Sequence, residues 1–289
     1  MTGDRANPYT HRNVWALSAP MILSNVTVPL LGVVDTAVMG HLDHPRYLAA
    51  VAVGATIFSF IFMGLNFLRM GTTGLAAQAR GAGQADEMRT VLAQAVLIAV
   101  AIAGMLLLVQ VPAGRLAMWL IAPEPDVTAP AWTYFSVRIW AAPAALTNFA
   151  LVGWFIGMQN TRAPLYLMLV TNLTNIVLSI LFVVGLGLRT GGVAAASVIA
   201  EFAGLLVGIW LARRELGRFG GRLSRANVLD PGKLRRIFSV NANLLVRTLS
   251  LMFVFGFITA QGARQGTAIL AANAILIQFQ YLMSYALDG

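Results

Sequence analysis

The stretch VPLLGVVDTAVMGHL, residues 28–42, places one carboxylate, Asp35, inside an apolar run that begins at Val14 and reaches Gly40. Those 27 residues exceed the roughly 20 that an α-helix needs to cross a bilayer core of about 30 Å. The run is read as a membrane-spanning helix. An ionised aspartate at such depth costs on the order of 2.5–3.5 kcal/mol even on a lenient insertion scale, so Asp35 must face a polar interior. That makes it the candidate coupling site for a proton or a small cation. Pro29, six residues earlier, has no N–H for the carbonyl of Asn25, and its ring crowds that turn. A bend is expected just before the acid, with Pro29 as the candidate hinge. The competing readings are a carboxylate satisfied by a neighbouring arginine and a proline that bends the chain for packing alone.

Composition agrees with a membrane solvent. Of 289 residues 58% are hydrophobic and only 11% charged, with a mean hydropathy of +0.75, which leaves too little polar surface for a soluble chain of this length. The chain reads as an all-α polytopic membrane protein. The net charge of +9 does not call for nucleic acid, because the basic residues lie mostly between apolar runs, where they set topology and meet lipid headgroups. The lack of cysteine excludes disulfides and thiolate metal sites. The three histidines, His11, His41 and His44, fall at or beyond helix ends, so no metal site is expected.

Apolar runs divided by polar or Gly/Pro breaks place span 1 near 14–40, span 2 near 48–78, span 3 near 90–112 and span 4 near 131–158. Span 5 follows at 163–187, span 6 at 191–212, span 7 at 236–260, and span 8 from 267 onward. Thirteen of the 20 basic residues fall on the side of the N-terminus and four on the other, with Arg69, Arg138 and Arg247 inside spans. By the positive-inside rule the N-terminus is cytoplasmic.

Residues 213–235 form the longest polar connection and read as a basic cytoplasmic linker. It divides a six-helix bundle, 1–212, from a second unit at 236–289. LAAVAVGATIFSFIFMGLNFLRMG at 48–71 lines up, at an offset of 222 residues, with LAANAILIQFQYLMSYALDG at 270–289, so that Asn66 corresponds to Asp288. TAVMG at 36–40 has an echo in TAQG at 259–262. Two matches in the same order point to a parallel repeat of a six-helix unit, and the second copy is expected to be incomplete after its second helix.

Depth counting at about 1.5 Å per residue brings further polar groups together. Ser179 on span 5 and Ser197 on span 6 share the outer half of the membrane with Asp35. Asn175 lies one turn from Ser179, and Glu201 one turn from Ser197 and close to mid-depth. These groups are candidates for one polar cavity; interhelical hydrogen bonds of about 0.6 kcal/mol each are the plainer reading of the Ser and Asn residues. Glu201 is a second embedded acid, and Arg138 on span 4 is its expected ion-pair partner if it has no transport role. GWFIG at 153–157 has the GxxxG spacing that lets helices approach closely.

PMILSNVTVPLLGVVDTAVMGHL in span 1, FLRMGTTGLAAQARGAG at the end of span 2, GWFIGMQNTRAP after span 4, NIVLSILFVVGLGL in span 5, GGVAAASVIAE in span 6 and YALDG in span 8 together resemble the multidrug and toxic compound extrusion (MATE) family, in its DNA-damage-inducible F (DinF-type) branch. The resemblance implies two six-helix bundles related by a pseudo-two-fold around a central cavity. It also implies antiport of cationic, often aromatic compounds against H+ or Na+, with no cofactor and no enzymatic activity. It maps Asp35 onto the family's span 1 aspartate, Asn175 onto its span 5 asparagine and Ser197 onto its span 6 hydroxyl position. Ser179 stands where the family commonly has a second aspartate, and Asn160 where it usually has Asp; the first change removes a like-charge neighbour that raises a carboxyl pKa.

The resulting expectation is a monomeric antiporter of small organic cations in a prokaryotic inner membrane, in contact with lipid and with no nucleic-acid partner. The alternative is a flippase for a lipid-linked sugar or polyanionic lipid, for which Arg69, Arg138 and Arg247 should line the central cavity. An intramembrane enzyme lacks any embedded nucleophile–base pattern, and a channel lacks a repeated filter sequence.

Overall fold

The computed structural model describes residues 44–265, with residues 38–40 and the single positions Ala19, Leu276, Gln280 and Met283. Asp35, Pro29 and Asp288 lie outside the described residues. Within them every regular element is helical.

Span 2 is a pair of helices, α1 (Pro45–Leu65) and α2 (Phe67–Gly81), joined at Asn66. Span 3 becomes α3 (Ala85–Leu108), followed by a separate short helix, α4 (Gln110–Ile121). The break has a covalent cause: Pro112 offers no N–H to the carbonyl of Leu108, the last residue of α3. Span 4 is α5 (Pro125–Arg138), a 3-10 turn Ile139–Ala141, and α6 (Ala142–Gly157). Pro143 sits four residues after Ile139 and withholds the same bond there. Span 5 is α7 (Arg162–Ile180), which widens into a π-turn over Leu181–Gly185, and span 6 is α8 (Arg189–Leu216). A short α9 (Arg225–Val228) then leads into α10 (Pro231–Gln265), which contains span 7.

Among the described residues five stretches are long and apolar enough to cross a membrane: Pro45–Gly81, Ala85–Leu108, Pro125–Gly157, Arg162–Gly185 and Arg189–Leu216. They correspond to spans 2 to 6, with ends moved by a few residues. A sixth, Arg225–Arg235 with Ser239–Val254, is bent by 49°.

Among the described residues the apolar interior is divided into two clusters. One joins α2, α3 and α6 through Leu68, Leu75, Leu92, Leu146, Trp154 and Phe155. The other joins α1 and α5 to the start of α8 through Tyr47, Phe58, Tyr134, Phe135 and Val193. Phe62 packs against both. The GxxxG pair works as the spacing suggests: a Cβ on Gly153 would overlap the carbonyl oxygen of Arg69, and one on Gly157 would stand 2.6 Å from that of Thr73. Helices α6 and α2 therefore meet backbone to backbone. Trp154, fully buried, donates its indole N–H to the carbonyl of Met88 at 2.9 Å and ties α6 to α3.

The connection between α8 and α10 is bound to the bundle. Arg89 of α3 donates to the carbonyls of Leu216, Phe219 and Gly220 at 2.6–3.1 Å. Gln94, 1% exposed, donates to the carbonyls of Asn227 and Val228. Asp86 accepts from the Arg222 N–H at 2.7 Å, and Lys233 pairs with Glu87.

Candidate functional site

Three of the predicted site residues meet in the bundle interior. Asn175 of α7 donates from Nδ2 to Ser197 Oγ of α8 at 2.8 Å, and the Ser179 hydroxyl donates to Asn175 Oδ1 at 3.4 Å. Their relative exposures are 2%, 6% and 0%. Helical periodicity makes the arrangement possible, because Asn175 and Ser179 are one turn apart on one face of α7, and that face lies against α8. Uncharged polar groups buried this deeply need partners, and the three supply one another.

A second polar group lies one turn further along α8. Glu201 accepts from Asn148 Nδ2 at 3.0 Å through Oε2, while the Arg138 guanidinium stands 3.7 Å from Oε1. The same Asn148 amide nitrogen also reaches the Glu201 main-chain carbonyl at 3.1 Å. The expected pair is thus present but loose, and Arg138 is held as much by rings, with its guanidinium carbon 5.6 and 5.8 Å from the centroids of Phe58 and Phe62. Arg138 Nη1 and Asn148 Oδ1 are buried with no hydrogen-bond partner among the described residues. Asn148 is the participant that sequence reasoning missed; its one signal was an amide in the middle of the apolar run 142–157.

Beside this group opens a cavity of about 270 Å³ lined by Asn66, Arg69, Asn148, Thr171, Asn172 and Glu201, with apolar side chains between them. Arg69 turns back to the join between α1 and α2 and donates from Nε to Asn66 Oδ1 at 3.1 Å. Asn66, Arg138, Asn175 and Glu201 each lie close to the middle of their spans, so the charged and amide groups form a layer between the two apolar clusters. Among the described residues no group of three His, Asp or Glu side chains could hold a metal ion.

Asn160, in the loop after α6, accepts from the Ala163 N–H at 3.2 Å and donates to Glu215 Oε2 at 3.0 Å. Glu215 is buried and also takes Arg218 at 3.0 Å. An amide at position 160 suits a carboxylate at 215.

Apolar spans packed around a mid-depth layer of amides, hydroxyls and an ion pair define a polytopic α-helical membrane protein. The MatE family model matches residues 20–181, more than half of the sequence, and the chain belongs to the MatE family. It is 44% identical over 276 residues to DNA damage-inducible protein F of Escherichia coli (strain K12), a match covering 96% of this chain and 60% of that protein. The chain thus spans about 60% of that relative's length. Two solved structures share the fold: the MATE transporter VcmN of Vibrio cholerae in the bent form, with a TM-score of 0.81 at 22% identity over 95% of this chain and 62% of that one, and a MATE crystal structure in the bent conformation, with a TM-score of 0.82 at 19% identity over 94% and 61%.

Proposed function

We propose that the chain forms the N-terminal bundle, and the start of a second, of an antiporter that exports organic cations or drugs in exchange for H+ or Na+. It acts as a monomer in a prokaryotic inner membrane with its N-terminus cytoplasmic, and it needs no cofactor beyond the coupling ion. Asp35 is the coupling carboxylate, and Pro29 the bend beside it.

The observation that supports this reading is the buried Asn175–Ser197–Ser179 chain. Amides and hydroxyls at this depth can orient a cation or a protonated carboxyl group beside them without carrying a charge that would repel either. With Ser at position 179, Asp35 titrates without a second acid at that place. It holds a coupling ion or a substrate cation, never both, and that exclusion is what links the two flows. Membership of the MatE family agrees.

The test is efflux of a fluorescent organic cation from proteoliposomes under a pH gradient and, separately, a Na+ gradient. Asp35→Asn keeps the volume and removes the titration, so it should insert normally and lose gradient-driven efflux. Wild-type rates in this variant would overturn the assignment. Arg69 keeps a flippase as the second reading, since it lines the mid-depth cavity. Arg138, in contrast, is engaged by Glu201 and two rings, and Arg247 is exposed on α10.

A further inference from the structure

We propose that a groove between α3 and the connection that follows α8 binds one anionic phospholipid, with an acyl chain along the groove and the phosphate on Arg225. The groove has a volume of about 740 Å³. Leu97 and Val100 of α3 form one wall, Leu223, Val228 and Leu229 the other, and Arg225 stands at the rim. Leu97, Val100, Leu223 and Leu229 are 43–60% exposed, so four large apolar side chains border an open gap. Because α3 is an apolar span, its outward face meets lipid tails rather than water, which fixes the occupant as a lipid. Apolar side chains with an arginine above them match the two ends of a phospholipid.

The preference for an anion follows from how the nearby charges are used. Glu87 is paired with Lys233, Glu215 with Arg218 and Asn160, and Asp86 with the Arg222 N–H. Asp230 accepts from the Lys233 N–H at 2.9 Å. Of these carboxylates Glu87 and Glu215 are ion-paired, Asp86 and Asp230 accept main-chain N–H groups, and none pairs with Arg225, which is exposed and has no ion pair among the described residues. A phosphate supplies the missing charge. The walls are preformed, because Gln94 and Arg89 fasten the connection to α3 by its main-chain carbonyls on either side of Leu223. This proposal is independent of the transported substrate.

The experiment is native mass spectrometry of the purified protein released from nanodiscs of equal phosphatidylglycerol and phosphatidylcholine with identical acyl chains. The wild type should retain phosphatidylglycerol preferentially. Arg225→Gln should lower that preference about five-fold, in line with one basic residue at a membrane surface. Leu97→Trp, which fills the groove, should lose one retained lipid of either headgroup. Arg214→Gln, at the same end of the bundle but outside the groove and stacked on Trp210, should change neither. Excess inorganic phosphate should not displace the lipid. An unchanged headgroup ratio in Arg225→Gln, an equal fall in Arg214→Gln, an unchanged lipid count in Leu97→Trp, or displacement by phosphate alone would each overturn the proposal.

Discussion

Gly153 lies so close to Arg69 that a Cβ atom would overlap the arginine's carbonyl oxygen. The obstacle is main chain, which has no rotamer to move away.

Gly153→Ala should therefore destabilise the protein by about 1–3 kcal/mol, the usual range for overpacking. Gly104→Ala is the matched control: a Cβ there meets nothing within 4 Å, and replacing a mid-helix glycine gains about 0.5–1 kcal/mol. Thermal unfolding in detergent should show Tm shifts of opposite sign. A Tm for Gly153→Ala at or above that of the wild type would mean that α6 and α2 are not in contact as described.

Glu201→Gln should cost more than its surroundings suggest. The amide can still meet Asn148, but Arg138 is left charged, 14% exposed and without a carboxylate, and breaking such a pair costs about 3–5 kcal/mol. Replacing both partners, Glu201→Gln with Arg138→Met, should recover most of the loss, since the methionine keeps the contact with Phe58 and Phe62. A double-mutant cycle by denaturation measures the coupling; additive single effects would show that the 3.7 Å pair contributes nothing.

Asn175→Ala removes the donor to Ser197 and the acceptor for Ser179 in one step. The stability cost should be about 1–2 kcal/mol, because buried polar groups lose partners while membrane hydrogen bonds are individually modest. Coupled efflux should fall far more steeply than stability. Normal efflux from a folded, inserted Asn175→Ala protein would remove the cluster from the transport site.

Asn160→Asp should set two carboxylates against each other, since Asn160 Nδ2 is a donor to Glu215 Oε2. Losing that donor and adding a like charge should cost about 1–3 kcal/mol, as for a buried polar group left without its partner. Thermal unfolding measures it, and a Tm equal to that of the wild type would contradict the contact.

Much of this was legible beforehand. Periodic apolar runs located spans 2 to 6, because a bilayer requires unbroken apolar length whatever the neighbouring helices do. Turn spacing and depth were enough to bring Asn175, Ser179 and Ser197 together and to match Glu201 with Arg138. The breaks were harder to see. Pro112 and Pro143 carried a signal for the ends at Leu108 and Ile139, but a boundary set by one missing N–H is hidden in a hydropathy average. The join at Asn66 has no proline, and it rests on two poor helix formers, Gly64 and Asn66, whose effect depends on tertiary context. Asn148 was overlooked because a lone amide in an apolar helix has no partner until the helices are packed. The docking of 213–235 was equally invisible, since its main contacts run to main-chain carbonyls that no sequence pattern marks.

The division of the interior into two apolar clusters has a mechanical consequence. Span 2 is interrupted at Asn66 and span 4 at Ile139–Ala141, both in the layer where the clusters separate. Spans 3, 5 and 6, in contrast, cross that layer as the unbroken helices α3, α7 and α8. The two apolar ends of the bundle are therefore joined by three continuous rods and two articulated ones, and the cavity beside Glu201 lies at the level of the joints.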